Sequence, residues 1–190
     1  MNDVIQKKKA LRLFWRSHPL LSNQAYQKFS TLICDRLRSS HEFNAAKRIA
    51  IFSPQAWEPT LLELWKDFPT KCVFPKVDRI GNQINFFEIS ELKQLCSGYG
   101  KIEEPAFGTL VTDWKASDLI LVPALAFDRL GNRLGSGKGF YDKFLSGIPS
   151  LRWGIHFSHR ISETNFPTQS FDQRMAKLIT ETESIRTIEN

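Results

Sequence analysis

The sequence predicts an α/β fold: three layers, Rossmann-like, with a mostly parallel sheet and helices on both faces. Short runs that are apolar on both faces recur after residue 48, and helical stretches fall between them. Strands buried on both faces read this way, and their alternation with helices marks parallel strands joined by right-handed crossovers. The third observation is a glycine-rich turn directly after one apolar run, where open α/β sheets place their ligands. A chain of 190 residues that is 42% hydrophobic, with 15 Phe and 5 Trp, has enough apolar surface for a core, which excludes disorder. A single domain over residues 1–190 is expected.

Taken in order, Ile5, Lys8, Leu11, Phe14 and Trp15 hold an i, i+3, i+4 spacing, and Ser17-His18-Pro19 stops that first helix. Ser22 is placed to cap a second, with Tyr26, Phe29, Leu32, Ile33 and Leu37 on its apolar face. Strands are expected at 49–52, 72–74, 119–122, 153–157 and 178–180. Helices are expected at 61–65, 92–96 and 140–145, and a hairpin element at 84–89 after the Gly81-Asn82 turn.

Charge is uneven along the chain. Residues 1–48 carry 10 Lys and Arg against 3 Asp and Glu, a net of +7, whereas residues 49–190 carry 16 against 17, a net of −1. Charge confined to one or two helices suits a small polyanion such as a nucleotide, a nucleic acid, or a solvated helix face. No apolar run approaches the ~20 residues of a membrane helix. Residues 1–9 are polar without a signal-peptide core, so a cytoplasmic protein is expected. Cys34, Cys72 and Cys96 are too few and too scattered for a disulfide framework or a CxxC metal site, and read as buried thiols. His156 and His159 lie three apart at a strand end without a third ligand type nearby, and Trp57 and Trp114 read as packing residues.

The stretch 121–145, LVPALAFDRLGNRLGSGKGFYDKFL, runs from a buried strand through Gly131, Gly135, Gly137 and Gly139 into a helix near Phe140. Glycines let backbone N–H groups approach a ligand, the following helix start favours anions, and Arg133 and Lys138 add cations. This describes a phosphate cradle. It is not a Walker A loop: five residues separate Gly131 from Gly137-Lys138, and Gly139 stands where the magnesium-binding Ser or Thr belongs. It also misses the dinucleotide G-x-G-x-x-G spacing.

Pro123-Ala124-Leu125-Ala126-Phe127-Asp128, Gly131-Asn132-Arg133-Leu134-Gly135 and Gly137-Lys138-Gly139-Phe140-Tyr141-Asp142 together resemble the signature of the 5-formyltetrahydrofolate cyclo-ligase family. Weaker likenesses lie at Lys8-Lys9-Ala10-Leu11-Arg12, at 49–58, at Val73-Phe74-Pro75-Lys76, at Glu104-Pro105, and at Asp172 before Ile179-Thr180-Glu181. The resemblance implies an ATP-dependent conversion of 5-formyltetrahydrofolate to 5,10-methenyltetrahydrofolate with release of ADP and phosphate, using Mg²⁺. It implies catalytic roles for Lys138 and Arg133. ATP would be held by Lys8, Lys9, Arg12, Arg133, Leu134, Gly135, Ser136, Gly137, Lys138, Gly139, Phe140 and Tyr141. The reduced folate would be held by Ser53, Glu58, Phe127, Gly137, Gly139, Phe140 and Tyr141, with Tyr99 a further candidate. Asp142 and Asp172 would hold Mg²⁺.

Three departures from the family pattern stand out. Glu58-Pro59-Thr60 is one residue shorter than usual, Ser136 replaces a larger side chain, and Ala176 replaces an acidic residue. A monomer acting on two small molecules is expected, with neither nucleic acid nor membrane as partner. The competing readings are another Mg-ATP-dependent phosphotransferase or ligase with a non-folate acceptor, and a basic RNA-binding module.

Overall fold

A computed structural model describes residues 2–187. Helix α1 (Asn2–Ser17) is followed by α2 (Asn23–Arg38), whose cap is Ser22, its hydroxyl accepting from the Ala25 N–H. Then come α3 (His41–Ala45), β1 (Ile49–Ala50), α4 (Leu62–Asp67), and the hairpin of β2 (Cys72–Asp78) with β3 (Gln83–Glu88). Asn82 takes the left-handed conformation in its turn (φ 47°). A small lobe follows, with β4 (Leu95–Ser97), β5 (Glu103–Pro105) and β6 (Thr109–Leu110). After β7 (Leu119–Val122) the chain forms β8 (Ala126–Asp128), β9 (Arg133–Leu134) and α5 (Phe140–Ser146). The last strands are β10 (Leu151–Ile155), β11 (Ile161–Ser162), β12 (Lys177–Ile179) and β13 (Ser184–Arg186).

Eight strands form the main sheet in the order β13-β12-β10-β7-β1-β2-β3-β6. The five central strands are parallel, and antiparallel strands are added at both edges. Period-two alternation assigns the two faces. Ile49, Ile51, Leu119, Leu121 and Ile155 pack with Ile33, Leu37, Phe43 and Leu64 of α2, α3 and α4. Their neighbours Ala50, Ile120, Val122 and Leu178 pack with Leu145 of α5 and Met175 on the other side. The expected three-layer α/β architecture is therefore present. A small sheet, β11-β8-β9, stands apart and packs with Leu11 and Trp15 of α1.

The helix expected at 92–96 is a correction. Only Leu92–Gln94 form a 3₁₀ turn, and Leu95–Ser97 are a strand. The Gln94 side-chain oxygen caps the start of the turn, accepting from the Ser90 and Glu91 N–H groups. Leu95–Ser97, however, pair antiparallel with Glu103–Pro105 and so leave the helix after three residues. Cys34 and Cys72 are buried, but Cys96 lies exposed on β4 rather than in the core.

Gly154 sits mid-strand on β10, and a Cβ there would lie 2.6 Å from Leu178 Cδ2 and 2.8 Å from the Phe127 ring. Overpacking of a closed core costs about 1–3 kcal/mol. Gly154→Ala is therefore expected to lower the unfolding free energy by that much, read as a lower urea midpoint at unchanged m, and an unchanged midpoint would show that this contact yields freely.

Candidate active site

A cleft of about 320 Å³ opens at the carboxyl ends of β1 and β7, neighbours in the sheet whose chain connections leave in opposite directions. Phe52, Ser53, Pro123, Ala124 and Leu125 line it just beyond those strand ends. Pro75, Val77 and Ile84 from the β2–β3 hairpin add apolar surface, and Tyr99, Gly100, Ile102 and Glu104 come from the small lobe. Arg133, Gly135, Ser136, Lys138, Gly139, Phe140 and Tyr141 contribute from the glycine loop, and Arg16 from α1.

The loop leaves the β8–β9 hairpin, whose turn is built on buried Asp128. Its carboxylate accepts from the Leu130 and Asn132 backbone N–H groups at 3.0 and 2.9 Å, and from Phe166 N–H at 2.7 Å. Arg133 then folds beneath the loop, donating to Asp142 at 2.7 Å and to the Pro123 carbonyl, with its guanidinium over the Tyr141 ring. Gly135 makes room for it: a Cβ there would lie 2.8 Å from both terminal guanidinium nitrogens. Gly137 (φ 103°) and Gly139 (φ 73°) occupy the left-handed region that side chains resist. Helix α5 has only seven residues and no side-chain cap, so the cationic character of the site comes chiefly from Arg133, exposed Lys138 and α1.

Helix α1 lies against this loop by one face. Arg12 donates to the Gly135 carbonyl at 3.0 Å, Arg16 to the Ser136 carbonyl at 3.2 Å, and buried Lys8 pairs with Asp172. Residues 8, 12 and 16 are successive i, i+4 positions and form one stripe. Burial and neighbouring Arg16 lower the Arg12 pKa, the behaviour of a guanidinium held among other cations.

Beyond β1, the chain turns through Glu58, whose buried carboxyl accepts from the Gln55 N–H at 2.8 Å. Burial raises its pKa to about 7, against the opposing pull of that N–H, Trp57 and Arg133. Half-buried Tyr141, whose hydroxyl is enclosed, is likewise pushed up by burial and by Glu58. Ser53 Oγ, Tyr141 Oη and Arg133 Nε, all from residues lining the cleft, have no hydrogen-bond partner. Buried polar groups normally find partners. The site is thus an apolar-walled cleft with an acid beside β1 and cations on its loop side.

Ser53, Glu58, Arg133, Gly135, Ser136, Lys138, Gly139, Phe140 and Tyr141 come together there, while Lys8, Arg12 and Gly137 belong to the α1–loop contact. Three expectations need correction. Phe127 points into the core against Gly154 and does not line the cleft, because strand alternation turns it inward. Lys9 is exposed, one position off the docked stripe, and Leu134 packs its side chain in the core beside Trp15. Trp57, read as a packing residue, both packs and lines the cleft. Arg16 and the lobe residues Ile102 and Glu104 were not anticipated; the i, i+4 repeat of Lys8, Arg12 and Arg16 was the available signal for Arg16.

Among the described residues, no group of three or more His, Cys, Asp or Glu forms a metal cluster. Mg²⁺ commonly uses only one or two carboxylates, with substrate phosphate and water supplying the rest. Asp142 Oδ2 and Asp172 Oδ2 face Arg133 and Lys8, whereas Asp142 Oδ1 meets only the Gln173 N–H at 3.4 Å. This donor set fits Mg²⁺ carried with a phosphate ligand.

Comparison with known proteins places these features. The sequence profile of the 5-formyltetrahydrofolate cyclo-ligase family matches residues 4–181. The chain is 27% identical over 139 residues to the 5-formyltetrahydrofolate cyclo-ligase of Mus musculus, a match spanning 66% of each chain. It is 36% identical over 84 residues to the mitochondrial enzyme of that name from Arabidopsis thaliana, spanning 40% of this chain and 30% of that one. The solved structure of Aquifex aeolicus 5,10-methenyltetrahydrofolate synthetase superposes with a TM-score of 0.79 at 28% identity, covering 97% of this chain and 93% of the other.

A carboxyl whose pKa is raised from 4.5 to about 7 takes up a proton on folding, so its unfavourable contribution is absent at low pH and grows as pH rises through that window. Glu58→Gln removes the titration. Its stability relative to wild type should therefore increase between pH 4.5 and pH 7, by at most about 3 kcal/mol. Urea unfolding at pH 5 and pH 8 checks this, and a pH-independent difference would contradict the burial argument.

Proposed function

The chain belongs to the 5-formyltetrahydrofolate cyclo-ligase family, and from that premise we propose that it converts 5-formyltetrahydrofolate and ATP into 5,10-methenyltetrahydrofolate, ADP and phosphate. The observation that carries the reading is the cleft itself, with the buried carboxyl of Glu58 on one side and the cationic glycine loop on the other. In this proposal residues 1–190 work as one domain, a cytoplasmic monomer acting on two small molecules. No helix among the described residues is long and apolar enough to cross a membrane.

The N5-formyl group is amide-like, and its oxygen is a poor leaving group. Transfer of the γ-phosphoryl group to that oxygen makes it a good one; N10 of the same folate then attacks the formyl carbon and phosphate departs. Phosphoryl transfer asks the protein mainly for positioning and for cations around spreading negative charge. Lys138, exposed at the rim, meets the transferring phosphate, while Arg133 is held in place by Asp142 and by the ring of Tyr141. Arg12 and Arg16 present the helix side of the phosphate site, with Lys8 behind them on Asp172, and with the backbone of Gly135, Ser136, Gly137 and Gly139 opposite. Glu58 accepts from the pterin N–H donors, and Ser53 and Tyr141 supply hydroxyls that have no partner within the protein. Phe140 and Tyr99, packed edge to face at 5.9 Å, wall the folate. Closure of the new ring is intramolecular, so a fixed folate conformation supplies much of the acceleration. Asp142 and Asp172 would hold Mg²⁺, which when bound adds charge neutralisation at the phosphates.

Purified protein with 5-formyltetrahydrofolate and Mg-ATP should give the methenyl product, followed by its near-ultraviolet absorbance, with one ADP released per turnover. Absence of both products would end the reading. Lys138→Ala should reduce kcat by about 100-fold or more. Because Lys138 is exposed, the variant's unfolding free energy should stay within about 0.5 kcal/mol of wild type.

A further inference from the structure

Arg160 is 1% exposed and closes the 3₁₀ turn Ser158–Arg160 after β10, far from the glycine loop in sequence. Among the described residues no carboxylate pairs with it. Its guanidinium donates instead to two backbone carbonyls at the end of α1, Trp15 at 2.5 Å and His18 at 3.2 Å, and its Nε has no partner. Around it stand the imidazoles of His18 and His159, stacked at 5.7 Å, with burial the leading cause keeping each of them toward the neutral form. Glu58 acts on it as an opposite charge only at longer range, without an ion pair. A charge taken out of water without a contacting counter-ion is strongly unfavourable unless other groups compensate. Here the compensation is the carboxyl end of a 16-residue helix, whose last carbonyls lack intrahelical donors and carry partial negative charge. Burial of Arg160 and seating of α1 are consequently coupled.

We propose that Arg160 is a positioning residue for the nucleotide: by fixing the end of α1 it sets Arg12 and Arg16 against the Gly135 and Ser136 carbonyls, and so the cationic wall that meets ATP. At the other end of α1, Lys8 and Asp172 hold only the first half of the helix. Without the Arg160 anchor, the turn bearing Arg16 loses its fixed position. The effect falls mainly on ATP, because the side chains of α1 bond the loop at Gly135 and Ser136, whereas Ser53 and Glu58 lie beyond β1, bond no residue of α1, and feel Arg160 only through its charge on Glu58. This inference rests on the proposed role of α1 in binding ATP.

The test measures Mg-ATP and 5-formyltetrahydrofolate affinities separately for the wild-type enzyme and for Arg160→Met, with hydrogen exchange of the α1 amides alongside. The expected result is ATP affinity weakened by about 10-fold or more, folate affinity within about twofold, and lost protection over the last turns of α1. ATP affinity equal to wild type, or equal losses for both ligands, overturns the proposal. If Arg160→Met does not fold, Arg160→Gln decides in its place, since it keeps one uncharged donor for α1. ATP binding weakened about threefold or more with folate binding intact supports the role, and unchanged or equally reduced binding overturns it. Wild-type protein that binds no Mg-ATP would instead refute the functional reading itself.

Discussion

The docking of one helix on one loop is the constraint on which the site depends. Lys8, Arg12 and Arg16 meet Asp172 and the carbonyls of Gly135 and Ser136, so the loop's oxygens are occupied from the helix side. Its amide side stays available to a ligand. Neither partner would hold its form alone: α1 buries little beyond Trp15 and Lys8, and the loop includes two residues in left-handed backbone. Three of the ten basic residues in the first 48, Lys8, Arg12 and Arg16, thus have an address within the fold, which a solvated helix face or a nucleic-acid surface would not need.

Beside β1 the chemistry is the reverse. Glu58 is held in an apolar surround where burial outweighs the groups that favour its charge. A ligand that brings N–H donors would change that balance, favouring the carboxylate and stabilising the complex together. Several unpartnered polar atoms nearby, including the Ser53 and Tyr141 hydroxyls, point the same way. The cleft is pre-organised at some expense in stability to the unliganded protein, a common condition of binding sites.

Much of this was legible from residues. Ile49-Ala50-Ile51 and Leu119-Ile120-Leu121-Val122 are apolar at every position, and the structure divides each run between two cores. Ser22 announced its helix, and the glycine loop announced the cleft. What stayed hidden required contacts between distant parts of the chain. Leu92 and Leu95 imitate helical spacing, and Gln94 even caps a helix start, but Leu95–Ser97 are drawn into pairing with Glu103–Pro105, a partner that local spacing does not announce. Phe127 stands among ligand-binding positions in sequence, while the direction of its side chain is set by pairing of β8 with β9 and β11. Arg16 was visible as a charge; which face of α1 it shared with the loop was not.

The anchors of α1 also bear on synthesis. Asp172 follows Lys8 by 164 positions and Arg160 follows Trp15 by 145. A growing chain makes the helix long before either partner exists, and contacts of such separation close late and slowly. Strands β1, β2, β3 and β7 can pair while α1 waits, so the side of the cleft formed by α1 and the glycine loop closes only once residues 160 and 172 have been made.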